Sequence, residues 1–120
     1  EALDLIVKAI ERAGYKPGRQ VYIALDVAAS SFYLSDMERY NFEGRKITGE
    51  KLLEYYQELI KEYPIISIED AFAESDITNI QAITSLYKNK ILIVGDDYFV
   101  TNKNMLQEGI DKKYCKQALK

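Results

Sequence analysis

The chain has 120 residues, 48% hydrophobic and 29% charged, which suits one soluble domain with a core and gives no compositional case for disorder. A net charge of −3, from 16 basic and 19 acidic residues spread along the sequence, leaves no basic stripe for a nucleic-acid backbone. One cysteine, Cys115, excludes an intrachain disulfide, and the lack of histidine removes the usual zinc sites and histidine-based triads, so any metal must be held by oxygen.

From Ala2 to Ala13, apolar Leu3, Ile6, Val7, Ile10 and Ala13 follow a helical period, and Gly14 follows where a helix commonly stops. Pro17-Gly18 breaks the chain before Val21–Leu25, a short apolar run suited to a buried parallel strand and followed by Asp26. Residues 28–47 are longer than a usual βα connection and are expected to form a functional loop or a small excursion. Thr48 as N-cap opens a second amphipathic helix through Leu52, Leu53, Tyr56, Leu59, Ile60 and Tyr63, closed by Pro64.

Ile65–Ile68 is the next predicted strand, with Glu69-Asp70 at its carboxyl end; Ser75 or Asp76 then caps a helix through Ile77, Ile80, Ile83, Leu86 and Tyr87. Ile91–Val94 is a third strand ending in Gly95-Asp96-Asp97, and Met105–Tyr114 a further helix before the start of a fourth strand in Cys115–Lys120. The fold class is therefore α/β, with three to four parallel βα units. No apolar run approaches the ~20 residues that span a bilayer, so a cytoplasmic protein is expected. Most of the ten tyrosines suit half-buried helical positions with wet hydroxyls.

Three successive predicted strands end in an acidic residue: Asp26, Glu69 and Asp96. Ligands of parallel α/β folds bind beyond the carboxyl ends of the strands, and strands ~4.8 Å apart would bring these carboxylates within about 10 Å. A hard cation such as magnesium, manganese or calcium would relieve their repulsion. Acidic residues also cap helices that follow strands, and Asp70 and Asp97 fit that or a supporting role.

Ala24-Leu25-Asp26-Val27-Ala28-Ala29-Ser30, Ile66-Ser67-Ile68-Glu69-Asp70 and Val94-Gly95-Asp96-Asp97 with Val100-Thr101-Asn102 resemble three signature segments of enolase, in the family's order. Ala2 to Gly18 is similar to the segment before the first of them, so the resemblance runs to about Tyr114. It implies a partial β/α (TIM-like) barrel, with residues 1–120 the central and incomplete part of the enolase C-terminal barrel domain. It also implies reversible dehydration of 2-phosphoglycerate to phosphoenolpyruvate. Asp26, Glu69 and Asp96 would be the ligands of Mg2+, Glu69 and Asp96 would lie close to substrate, and magnesium would stabilise the charge that builds on the substrate carboxylate when its neighbouring proton leaves.

The family's base is a lysine on the strand after the Asp96 segment, and Lys120, after Leu119, falls one residue short of that place; it is the base only if a deletion lies in Cys115–Leu119. The family's other acid-base and phosphate-binding groups align outside Glu1–Lys120, so the stretch alone is expected to be inactive and to need the remainder of an enolase chain. Ser31 stands where many enolases carry glutamate. The resemblance further implies a homo-oligomeric parent, dimer or octamer, with a secondary cell-surface presence in some relatives. A non-catalytic metal-binding fragment or assembly module is the alternative, and a phosphoacceptor receiver domain is disfavoured because its acidic pair follows the first strand.

Overall fold

The computed structural model describes residues 1–100, 102–114 and the backbone of 117–118. Helix α1 (Ala2–Arg12) ends in a tight turn at Gly14, whose φ of +85° is a conformation that glycine adopts without a steric penalty. Strand β1 (Ile23–Asp26) starts later than its apolar run, because Val21 instead bridges back to Pro17.

The excursion is an antiparallel meander. After a 3₁₀ turn over Ala29–Phe32, strands β2 (Tyr33–Leu34), β3 (Arg39–Phe42) and β4 (Arg45–Ile47) pair in that order. Glu43 and Gly44, both at positive φ, make the two-residue hairpin loop that faces Phe42 with Arg45. The meander packs an aromatic face inward: Tyr40 is fully buried, edge-on to Phe32 at 5.8 Å and to Phe72 at 6.1 Å, and Phe42 lies 4.8 Å from Tyr55.

Helix α2 (Gly49–Glu62) begins at Thr48, whose hydroxyl accepts the Lys51 amide at 3.2 Å. Strand β5 (Ile65–Glu69) follows, then helix α3 (Ile77–Tyr87), capped by Asp76, and strand β6 (Leu92–Gly95). Helix α4 (Lys103–Lys112) starts earlier than its apolar period, since the Asn102 side chain accepts the amides of Asn104 and Met105. Strand β7 (Gln117–Ala118) completes the order.

The main sheet runs β1-β5-β6-β7, with every pairing parallel. Each described crossover therefore steps one place in the same direction, as in an arc of a β/α barrel, without the reversal of order that marks doubly wound sheets. Ile23, Ile65, Ile68, Ile91 and Ile93 of the sheet region form one core with Leu52 and Tyr56 of α2 and Ile80 and Ile83 of α3. Each fully buried aliphatic side chain there contributes about 1.5–3 kcal/mol.

Helices α2 and α3 meet through their N-terminal turns at a polar contact. Asp76 accepts from the Asn79 side chain at 2.9 Å and from the Tyr40 hydroxyl at 2.8 Å, with Gly49 packed against both carboxamide and carboxylate. A Cβ on Gly49 would overlap Asn79 Nδ2 and come within 2.5 Å of Asp76 Oδ2. Gly49→Ala should therefore lower stability by about 1–3 kcal/mol, the usual cost of overpacking, despite alanine's better helix propensity. Urea denaturation checks this, and an unchanged or raised midpoint would show that the network yields at no cost.

Candidate metal centre

Asp26 closes β1 and Glu69 closes β5, directly opposite each other in the parallel register. That pairing depends on an irregularity. Ile23 faces Ile65 but Ala24 faces Ser67, so Ile66 is an extra residue on β5, and it is 42% exposed. Without the bulge Asp26 would sit beside Ile68, whose side chain lies on the core side.

Carboxylate oxygens of Asp26, Glu69 and Asp70 lie within 4.8 Å of one another, with Asp26 exposed, Glu69 half-buried and Asp70 4% exposed. Burial raises the Glu69 carboxyl above its ordinary value, and the charges of Asp26, Asp70, Asp96 and Asp97 raise it further. Burial also raises Asp70, opposed by the amides it accepts and reinforced by Asp97 and Asp96. The described salt bridges lie elsewhere, at Glu1–Asp4, Lys51–Glu54 and Lys112–Glu108. Among the described residues, the cluster thus gathers like charges with no basic side chain bridging them.

Asp96 is placed differently from Asp26 and Glu69. Strand β6 ends at Gly95, and Asp96 opens a turn in which its carbonyl accepts the amides of Phe99 at 3.1 Å and Val100 at 2.9 Å. Its side chain is exposed and lies outside the 4.8 Å group, although its charge reaches Glu69. Asp70 enters the group instead. Its backbone is left-handed, at φ +44°, which an aspartate tolerates better than most residues, and its two carboxylate oxygens accept the Asp96 amide at 3.0 Å and the Asp97 amide at 3.1 Å. Asp70 therefore fastens the end of β5 to the turn after β6. The only sequence signal for this was its position beside Glu69, which does not say where its oxygens go. Lys120 lies outside the described residues.

These donors fit a hard divalent cation. They are all oxygen, they sit at the carboxyl ends of adjacent parallel strands, and their mutual repulsion is what a cation removes.

Two comparisons bear on this geometry. A family model described as the enolase C-terminal TIM barrel domain matches residues 1–120. The enolase of Corynebacterium kroppenstedtii is 49% identical over 119 residues, which cover 99% of this chain and 28% of that protein. The chain thus spans less than a third of the length of this relative.

Proposed function

The chain belongs to the enolase C-terminal TIM barrel family, and from that premise we propose that it supplies the magnesium-binding part of a glycolytic enolase. In this reading residues 1–120 are the central part of the barrel domain, and the full-length protein interconverts 2-phosphoglycerate and phosphoenolpyruvate. The observation that carries it is the juxtaposition of strand-end Asp26 and Glu69, in register, with the charge of Asp96 felt at Glu69.

Asp26, Glu69 and Asp96 would hold Mg2+, and Asp70 would fix the spacing between the Glu69 and Asp96 segments through the two amides that it accepts. When bound, magnesium supplies electrostatic stabilisation of charge developing on a substrate carboxylate. Glu69 and Asp96 flank the place where that substrate would lie. Proton removal and hydroxide departure fall to groups contributed by the rest of the enolase chain, with Lys120 proposed as a proton acceptor. No described helix is long and apolar enough to cross a membrane. The same reading gives the parent a cytoplasmic location and a homo-oligomeric state.

Phosphoenolpyruvate absorbance tests the reading directly. The full-length protein should turn over 2-phosphoglycerate with magnesium and stop when the ion is chelated, and absence of turnover in saturating magnesium would overturn it. Its acid limb has a determined sign. Because Glu69 and Asp70 are both raised, protons compete with the cation at higher pH than at ordinary carboxylates, so magnesium affinity should fall as the solution is acidified. Calorimetry in buffers of different ionisation enthalpy should register proton release on binding that grows as pH is lowered from neutral into the acid limb.

A further inference from the structure

Residues 71–73, immediately after Glu69-Asp70, are buried to 1%, 0% and 3% exposure but belong to no strand or helix. Buried backbone without a ladder must find other partners, and here phenols provide them. The Tyr56 hydroxyl donates to the Ala71 carbonyl at 2.7 Å, and the Tyr40 hydroxyl accepts the Ala73 amide at 3.0 Å while donating to Asp76. The Tyr98 hydroxyl does two things at one residue: it accepts the Phe72 amide at 3.0 Å and donates to the Phe72 carbonyl at 2.8 Å.

Tyr98 differs from the other two in where it comes from. Tyr56 stands on α2 and Tyr40 on the meander, whereas Tyr98 lies two residues beyond Asp96, in the turn after β6. Asp70 reaches from the Glu69 segment to the amides of Asp96 and Asp97, and Tyr98 reaches back from the Asp96 segment to both backbone groups of Phe72. The two ties run in opposite directions between the same two segments. The β5–β6 ladder, extended by the Asp70 amide bond to the Val94 carbonyl at 3.0 Å, holds the strand ends side by side, and the two side-chain ties brace the segments beyond it.

We infer that Tyr98 is a positioning residue for the cation site, its hydroxyl holding the Glu69 and Asp96 segments at the spacing a shared ion needs. This rests on the magnesium reading above. It touches neither ion nor substrate and acts through the Phe72 backbone. Its loss leaves Asp70 as the sole side-chain tie between the two segments among the described contacts, so Asp96, which is exposed and outside the packed group, gains freedom that binding must then remove.

The test is calorimetric magnesium titration of the full-length protein and its Tyr98→Phe variant, well below the melting temperature. Affinity should fall roughly tenfold, at the low end of what loss of an outer partner of a metal ligand costs. Thr84→Ala is the comparator: it removes the buried 2.6 Å bond from Thr84 to the Tyr114 carbonyl, away from the carboxylates, and should reduce stability while leaving affinity within about twofold. Equal magnesium affinity in wild type and Tyr98→Phe would overturn the inference. Glu69→Gln separates the two readings, since an unweakened Glu69→Gln sinks the metal site itself, whereas a weakened Glu69→Gln beside an unaffected Tyr98→Phe sinks only the brace.

If Tyr98→Phe does not fold, amide exchange in the wild type decides. Coupling is reciprocal, so saturating magnesium should slow exchange at Phe72 more than at Ile83, a core amide of α3. Equal slowing at the two positions would overturn the proposal.

Discussion

Glu69→Gln should weaken magnesium binding by at least about 100-fold, beyond the usual range for residues that only support a ligand, and lower turnover of the full-length protein by roughly 10³-fold at limiting magnesium. The substitution keeps the side chain's size and removes its charge at the most crowded point of the acidic cluster, where four neighbouring carboxylates repel it. A second sign accompanies the first. A carboxyl raised in the folded state withdraws stability as pH rises past its unfolded value of 4.5, because ionisation then costs more in the fold than outside it. Without magnesium and at neutral pH, Glu69→Gln should therefore be at least as stable as the wild type, and the order should reverse when saturating magnesium is added. Thermal melts with and without the ion check both. Asp70→Asn should behave otherwise: one of its two acceptor oxygens becomes an NH2 facing the Asp96 or Asp97 amide, so it should lose stability with or without magnesium. If Asp70→Asn loses more magnesium affinity than Glu69→Gln, the ion is held by the compact group of Asp26, Glu69 and Asp70, and Asp96 is not a ligand.

Much of the frame was readable because it rests on local signals. Apolar runs bounded by Pro17-Gly18, Pro64 and Gly95 gave three parallel strands, and Thr48 and Asp76 each accept the amide that their capping position requires. Boundaries moved where a side chain overrode the apolar period, as when Asn102 opened α4 ahead of Met105. The meander was not resolved as strands. Its longest strand, Arg39–Phe42, alternates over only four residues, and β4 carries a single apolar residue, Ile47, leaving Glu43-Gly44 as a weak hairpin signal beside Asn-Gly or Asp-Gly. At the site, strand ends located Asp26 and Glu69, but the pairing that brings them together depends on the extra residue Ile66, and no sequence period encodes a bulge. Asp96 follows a strand end yet sits in a turn, so equal sequence position did not give equal geometry. The tyrosines were least legible. A half-buried ring with a wet hydroxyl suits Tyr55, whereas Tyr40, Tyr56 and Tyr98 are 0%, 2% and 5% exposed and bond irregular backbone that no pattern announces.

Phe72→Ala should be among the most destabilising single substitutions in the chain, at about 3–5 kcal/mol, a large share of the 5–15 kcal/mol that typically holds a domain folded. Phe72 is fully buried between the meander and α2, edge-on to Tyr40 at 6.1 Å and to Tyr56 at 5.6 Å. Truncation removes the ring that both tyrosines pack against and leaves a cavity between two elements, the meander and α2, whose hydroxyls must still reach Ala73 and Ala71. The loss should spread to the cation site. Phe72 lies three residues past Glu69, and its backbone is the Tyr98 anchor, so a shift of this segment moves the ends of β5 and β6 relative to each other. Phe72→Leu keeps an apolar side chain in rotamer contact with most of the same neighbours and should cost less than half as much. Urea denaturation of the full-length protein measures both. A Phe72→Ala cost under about 1 kcal/mol would mean that the segment is held by its hydrogen bonds rather than by the ring, and the tyrosine hydroxyls would then be the first place to look for its stability.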